Sequence, residues 1–88
     1  MINNPLSELQ KNVCYTELVY QRVNKKLKTQ LTQSEIEALV DRLLADVTSS
    51  VEKHGKNYYV TNQHMQIQLV INSFNSRLIT VNALWSGN

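Results

Sequence analysis

From Leu31 to Val47 the apolar residues recur at helical spacing. Ile36, Leu39, Val40, Leu43, Leu44 and Val47 stand at i, i+3, i+4, i+7, i+8 and i+11, which gathers them into one stripe. Thr32 and Glu35 have the T-x-x-E spacing of a capping box, in which the hydroxyl accepts from the Glu35 amide and the carboxylate reaches back to the Thr32 amide. Leu31 and Ile36 sit at the spacing of a hydrophobic staple across that cap. The pattern predicts a helix over about 33–48, ended by the poor helix formers Thr48, Ser49 and Ser50.

Upstream, Asn4-Pro5 reads as a cap followed by proline at the first helical position. In YTELVYQRVNKKL, Thr16, Val19, Tyr20, Val23 and Leu27 gather on one side at 100° per residue. Arg22, Lys25 and Lys26 gather on the other, with Leu18 among them. Helix is therefore predicted over about 5–27, and the pattern leaves open whether it is one helix or two. A short connection at 28–31 predicts an antiparallel helical hairpin with the capped helix.

After Ser50 the period changes to two. Gly55 marks a turn, and NYYVT has the aromatic and β-branched residues of a strand. MQIQLVIN places Ile67, Leu69 and Ile71 on one face, and RLITVNA places Ile79, Val81 and Ala83 on one face. Strands are expected at about 57–61, 65–72 and 77–83. Matching the apolar faces sets Ile71 opposite Ile79 and Leu69 opposite Val81, with Phe74, Asn75 and Ser76 as a three-residue loop. Val70 and Leu78 then fall on the outer face. The expected fold is α+β: a single domain over 1–88, with an N-terminal helical hairpin packed on one face of a three-stranded antiparallel β-meander.

Composition narrows the class. Of 88 residues, 42% are hydrophobic and 18% charged, which is globular usage rather than disorder. No apolar run approaches membrane-spanning length, and MINNPLSELQ lacks the basic and apolar regions of a secretory signal. One cysteine forms no internal disulfide, so the cytoplasm is the expected compartment. The net charge of +2 hides two blocks. Residues 11–28 set Lys11, Arg22, Lys25, Lys26 and Lys28 against Glu17 alone; residues 29–52 set Glu35, Glu37, Asp41, Asp46 and Glu52 against Arg42 alone. Blocks of opposite sign on consecutive helices predict that the helices lie side by side, although each surface pair is worth only about 0–1 kcal/mol.

Three stretches, NVCYTELVYQRVNKKL, GKNYYVTN and INSFNSRLIT, together resemble a family of small bacterial proteins known as a domain of unknown function. The resemblance spans about residues 12–84. It implies a single compact domain and carries no activity, cofactor or catalytic residue.

The chemistry on offer is sparse. His54 and His64 bracket the first expected strand without zinc spacing, and Cys14 is far from both in sequence. No metal site and no cofactor is expected. Cys14 reads as a small core residue. The most suggestive cluster is Lys53, His54, Lys56, Tyr58, Tyr59 and Arg77, the residue types that messenger-cleaving bacterial toxins carry on a two-helix-plus-sheet plan, with His54, Lys56, Tyr58, Tyr59 and Arg77 the catalytic candidates on that reading. The plainer reading has both tyrosines packing their rings with hydroxyls in water. Arg22, Lys25, Lys26 and Lys28 could meet phosphates, yet a pI of 8.8 falls short of a strongly basic domain. Trp85, in a polar tail, either folds back or anchors a partner.

The leading expectation is a non-enzymatic binding or regulatory module that acts through protein contacts, with a partner protein or a second copy. Tyr58, Tyr59, Val70, Leu78 and Trp85 are the expected anchors. A nucleic-acid binder or toxin-like ribonuclease is the runner-up, and a small-ligand sensor is third. For self-association, NYYVT is expected to form an edge strand without a charge to blunt it, so a two-fold dimer through that edge or the outer sheet face is expected.

Overall fold

The computed structural model describes residues 5–85. The Asn4 cap lies outside them. The chain runs through α1 (Pro5–Asn12), α2 (Glu17–Leu27), α3 (Gln33–Ala45), β1 (Ser50–His54), β2 (Asn57–Asn62), β3 (Ile67–Asn72) and β4 (Leu78–Ala83). The strands form one antiparallel sheet in the order β1-β2-β3-β4. The class is α+β. The expected three-stranded meander under a two-helix hairpin is corrected to four strands under three helices.

The first helical stretch breaks at 13–16, and the break has a use. Cys14 runs alongside the start of β4: its N–H donates to the Ser76 carbonyl at 2.9 Å and its carbonyl accepts from Leu78 N–H at 2.9 Å. A continuous helix would spend those groups on itself. Cys14 is consequently exposed, not a core residue, with Sγ 3.5 Å from the Asn75 carbonyl.

At the other end of α2, Lys28 takes the left-handed conformation (φ 58°) that closes a helix. Asn24 then ties the connection down. Its Nδ2 donates to the Leu31 carbonyl and its Oδ1 accepts from Leu31 N–H and the Thr29 hydroxyl. This delivers Leu31 to the capping box, which is formed as the spacing predicts: Glu35 N–H to Thr32 Oγ1 at 3.1 Å, and Thr32 N–H to Glu35 Oε1 at 2.8 Å. α3 ends at Ala45, short of the expected 48, and Val47 is 95% exposed rather than in the stripe. α3 packs on α1, while α2 lies along β4. Between α2 and α3 the described polar contact is the Tyr20 hydroxyl donating to Glu37 at 2.6 Å; none of Arg22, Lys25 and Lys26 forms an ion pair among the described residues.

β1 is the strand that periodicity misses. SVEKH has one apolar residue, Val51, and is otherwise exposed. It is a strand because a two-residue turn at Gly55-Lys56 folds it back on β2, pairing Val51 with Val60 and His54 with Asn57. Gly55 has φ +62°, which suits glycine at the first turn position. NYYVT is thus paired on both sides and is not an edge. The actual edge, β1, carries Glu52, Lys53 and His54, which discourage further pairing. At the other edge, Cys14 bonds the start of β4, and Arg22 Nη1 donates to the Ile79 carbonyl at 2.8 Å.

Leu69 lies opposite Val81, as the alternation requires, but a bulge intervenes before the turn. Ile71 faces Leu78, not Ile79. Leu78 is therefore buried in the core, contrary to its expected outer position, and Ile79 is only half-buried. The turn holds four residues, 73–76, with Asn72 N–H bonded to the Arg77 carbonyl and Ser76 in the left-handed region. The core joins Val19, Val23 and Leu27 of α2 and Ile36, Val40, Leu43 and Leu44 of α3 to Val60, Leu69, Ile71, Leu78 and Val81 on the inner sheet face.

Candidate functional surfaces

Strand alternation and register give the outer sheet face three rows. Across β1 to β4 they read His54, Asn57, Asn72, Arg77; then Glu52, Tyr59, Val70, Thr80; then Ser50, Thr61, Gln68, Asn82. None of these joins the cluster that the helices share with the inner face. The third row is knitted together: Gln68 Nε2 donates to the Thr61 hydroxyl at 3.2 Å, and Asn82 Nδ2 donates to Gln68 Oε1 at 3.0 Å. In the middle, Val70 is 5% exposed beside the half-buried Tyr59. Ionisable side chains are confined to the lateral strands, with Glu52 and His54 on β1 and Arg77 at the start of β4.

The five expected anchors separate. Tyr59 and Val70 share the outer face. Tyr58 points inward and packs on the core, and Leu78 is inside it. Trp85 follows β4, 39% exposed, next to Leu84, whose N–H is bonded to the Gln66 carbonyl.

The ribonuclease cluster separates as well. The His54 and Tyr59 rings meet edge-on at 5.5 Å, and Glu52 Oε1 lies 3.9 Å from His54 Nε2. Tyr58 is on the opposite face. Arg77 is three strand spacings from His54, roughly 14 Å across the sheet. Lys56 is exposed in the β1–β2 turn. General acid–base work on one phosphate needs groups within hydrogen-bond reach of the same atoms, and this set does not converge. Among the described residues there is no group of three or more His, Cys, Asp or Glu that could hold a metal.

On α2, Arg22, Lys25 and Lys26 share an exposed stripe with Leu18, which is 66% exposed. Arg22 is already committed to the Ile79 carbonyl. Lys28 follows as the helix-ending residue.

Three features escaped sequence reasoning. Asn62, which falls between the strands expected at 57–61 and 65–72, is fully buried: its Nδ2 donates to Asp46 Oδ2 at 3.0 Å and Ser49 Oγ at 2.8 Å, and its Oδ1 accepts from Met65 N–H at 2.8 Å. Ser49 Oγ in turn donates to the Leu43 carbonyl. Hydrogen bonds from the Thr48 backbone, the Thr48 hydroxyl and Asn62 hold the Asp46 carboxyl below the usual carboxylate range. Second, Tyr15 stacks on Tyr20 at 5.6 Å. The hydrogen bond to Glu37, with burial and the Glu37 charge, pushes the Tyr20 phenol up to about 12; burial first, then the Glu37 charge, raises Tyr15. Third, Phe74 at the tip of the β3–β4 turn is 80% exposed. Its exposure has no signal in the apolar pattern, because it follows from a turn that holds its own backbone.

No helix among the described residues is long and apolar enough to cross a membrane. Neither a curated protein nor a solved structure matches the chain. A family model does match, over residues 7–82, nearly all of the described chain. The chain belongs to that family, whose description is Protein of unknown function (DUF3781).

Proposed function

We propose that the domain is a non-enzymatic binding module of the cytoplasm that acts through protein contacts on its outer sheet face. One observation carries this reading. The outer face, whose residues stand outside the helix-packed core cluster, centres on the half-buried Tyr59 beside the buried Val70, with ionisable side chains only on the lateral strands. Interface cores are depleted in charge and enriched in tyrosine, and their rims are polar. Two hydrogen bonds already link the side chains of Thr61, Gln68 and Asn82, which lowers the cost of covering them.

The test is a photo-crosslinking amino acid placed at Thr61 or Thr80 in cells. A product of one defined mass from these positions, absent with the crosslinker at the exposed Ser7 on α1 and lost in Tyr59→Ala, supports the reading. Equal products from both faces, or none from the sheet, overturn it. A nucleic-acid role rests instead on the exposed Lys25 and Lys26 beside Arg22. Its signature is retention on heparin that falls steeply with salt and is lost in Lys25→Ala/Lys26→Ala.

A further inference from the structure

The β3–β4 turn displays its aromatic on a stiff support. Asn72 Oδ1 accepts from both Phe74 N–H (2.8 Å) and Asn75 N–H (3.2 Å), and Asn75 Oδ1 accepts from Arg77 N–H. Ser73 N–H donates to the Lys56 carbonyl of the neighbouring turn at 2.8 Å, and Cys14 holds Ser76 from the helix side. With so many backbone groups pinned, the loop has little freedom left to lose on docking. An aromatic held this way gives up contact area to water without an entropic reason for doing so. Lys56 and Arg77 flank it, and the segment 73–77 has no acidic residue.

A matching receptor lies elsewhere on the same chain. α3 turns Glu35, Ala38, Leu39 and Arg42 to one side, and with Leu31 they line a hollow of about 260 Å3. Its floor is apolar, from Leu31, Ala38 and Leu39. Glu35, whose Oε1 caps Thr32 N–H at 2.8 Å, offers its other carboxylate oxygen to the cationic flanks of the turn, and Arg42 offers a guanidinium to the face of an aromatic ring. We infer that Phe74 of one copy inserts into the Leu31–Ala38–Leu39 hollow of a second copy, so that the domain self-associates through its turn and α3. Each copy carries both halves. Two such contacts close a two-fold pair, whereas one contact alone leaves a free knob and a free hollow. The contact uses the β3–β4 turn end of the molecule and α3 rather than the Tyr59–Val70 centre of the outer sheet face, so it stands or falls apart from the proposed function.

Sedimentation equilibrium of the full chain, across roughly 10 μM to 1 mM, spans the affinities expected of a contact this small. Self-association is expected in the native chain, weakened roughly tenfold or more by Phe74→Ala or by filling the hollow with Ala38→Gln. Both positions are exposed, so circular dichroism should show unchanged folding. Leu18→Ala, which trims another exposed apolar residue, should leave association unchanged. The decisive arm mixes the two variants. Phe74→Ala keeps an intact hollow and Ala38→Gln keeps an intact knob, so the mixture should pair more tightly than either variant alone. A monomer mass for the native chain throughout, association that neither variant weakens, or a mixture no tighter than its components would overturn the inference.

Discussion

The two ends of the sheet use the same residue type in opposite ways. At the β2–β3 end, Asn62 is fully buried and its amide bonds Asp46, Ser49 and Met65, locking the end of α3 to the sheet. At the β3–β4 end, Asn72 stands on the outer face and its carbonyl oxygen organises a turn that faces water. Burial sets the difference. A lost hydrogen bond in water is replaced by solvent, but a buried donor without a partner bears its full desolvation cost. One end is therefore built to hold the fold together, and the other to present a shape.

That contrast makes Asn62→Ala the most damaging of the substitutions considered. It leaves the Met65 amide without its acceptor and opens space beside Ser49, so a loss of roughly 2–4 kcal/mol is expected, measured by urea unfolding. A loss under about 0.5 kcal/mol, the range of an ordinary surface change, would erase the distinction between the ends. Thr32→Ala comes next, at about 0.5–2 kcal/mol, because it removes a cap that is formed but exposed. If it costs more than Asn62→Ala, local capping rather than the buried amide secures α3. Asn72→Ala should cost about 0.5–1.5 kcal/mol, the net worth of a typical hydrogen bond, and should raise amide exchange at Phe74 and Asn75 while leaving the β2–β3 turn protected.

Two pH effects sharpen the comparison further and should be smaller. The Asp46 carboxyl has a lowered pKa when folded, so its stabilising contribution is present above the ordinary carboxylate value and is lost as pH falls through the folded value. The stability gap between the native chain and Asp46→Asn should close on acidification from pH 6 to the lowest pH at which unfolding is reversible. Tyr20 titrates near 12 when folded against about 10 when unfolded, so the folded state holds the extra proton in that window and stability falls as pH rises through it. Tyr20→Phe should flatten that alkaline limb and leave the acid limb unchanged.

The candidate surfaces were legible only in part. Val70 lies on the outer face where alternation predicts it, but Leu78 does not, because the bulge at Ile79 shifts the last strand by a residue before the turn; Tyr59 reaches that face by pairing with Val70, a placement that the alternation of β3 and β4 leaves open. Tyr58 and Tyr59 are sequence neighbours on opposite faces, so grouping them by proximity along the chain joined residues that the sheet separates. Phe74 looked like loop filler because its backbone support comes from Asn72, Lys56 and Cys14, two of them in other segments.

What the sequence determined by itself was local. The capping box at Thr32 and Glu35 needs only three residues of spacing, and the inward set Ile67, Leu69, Ile71 and Val81 needs only the two-residue pleat. The tertiary structure decided the rest. β1 exists because β2 is there to pair with it, since SVEKH has too little apolar pattern to declare itself. The first helical stretch is two helices because Cys14 is drawn out to bond Ser76 and Leu78, some sixty residues away. Asn62 is interior because the end of α3 brings a carboxylate and a hydroxyl to meet its amide. Periodicity records which side chains avoid water; it does not record which distant backbone or polar group will arrive to replace the water, and at β1, Cys14 and Asn62 that arrival is what fixes the structure.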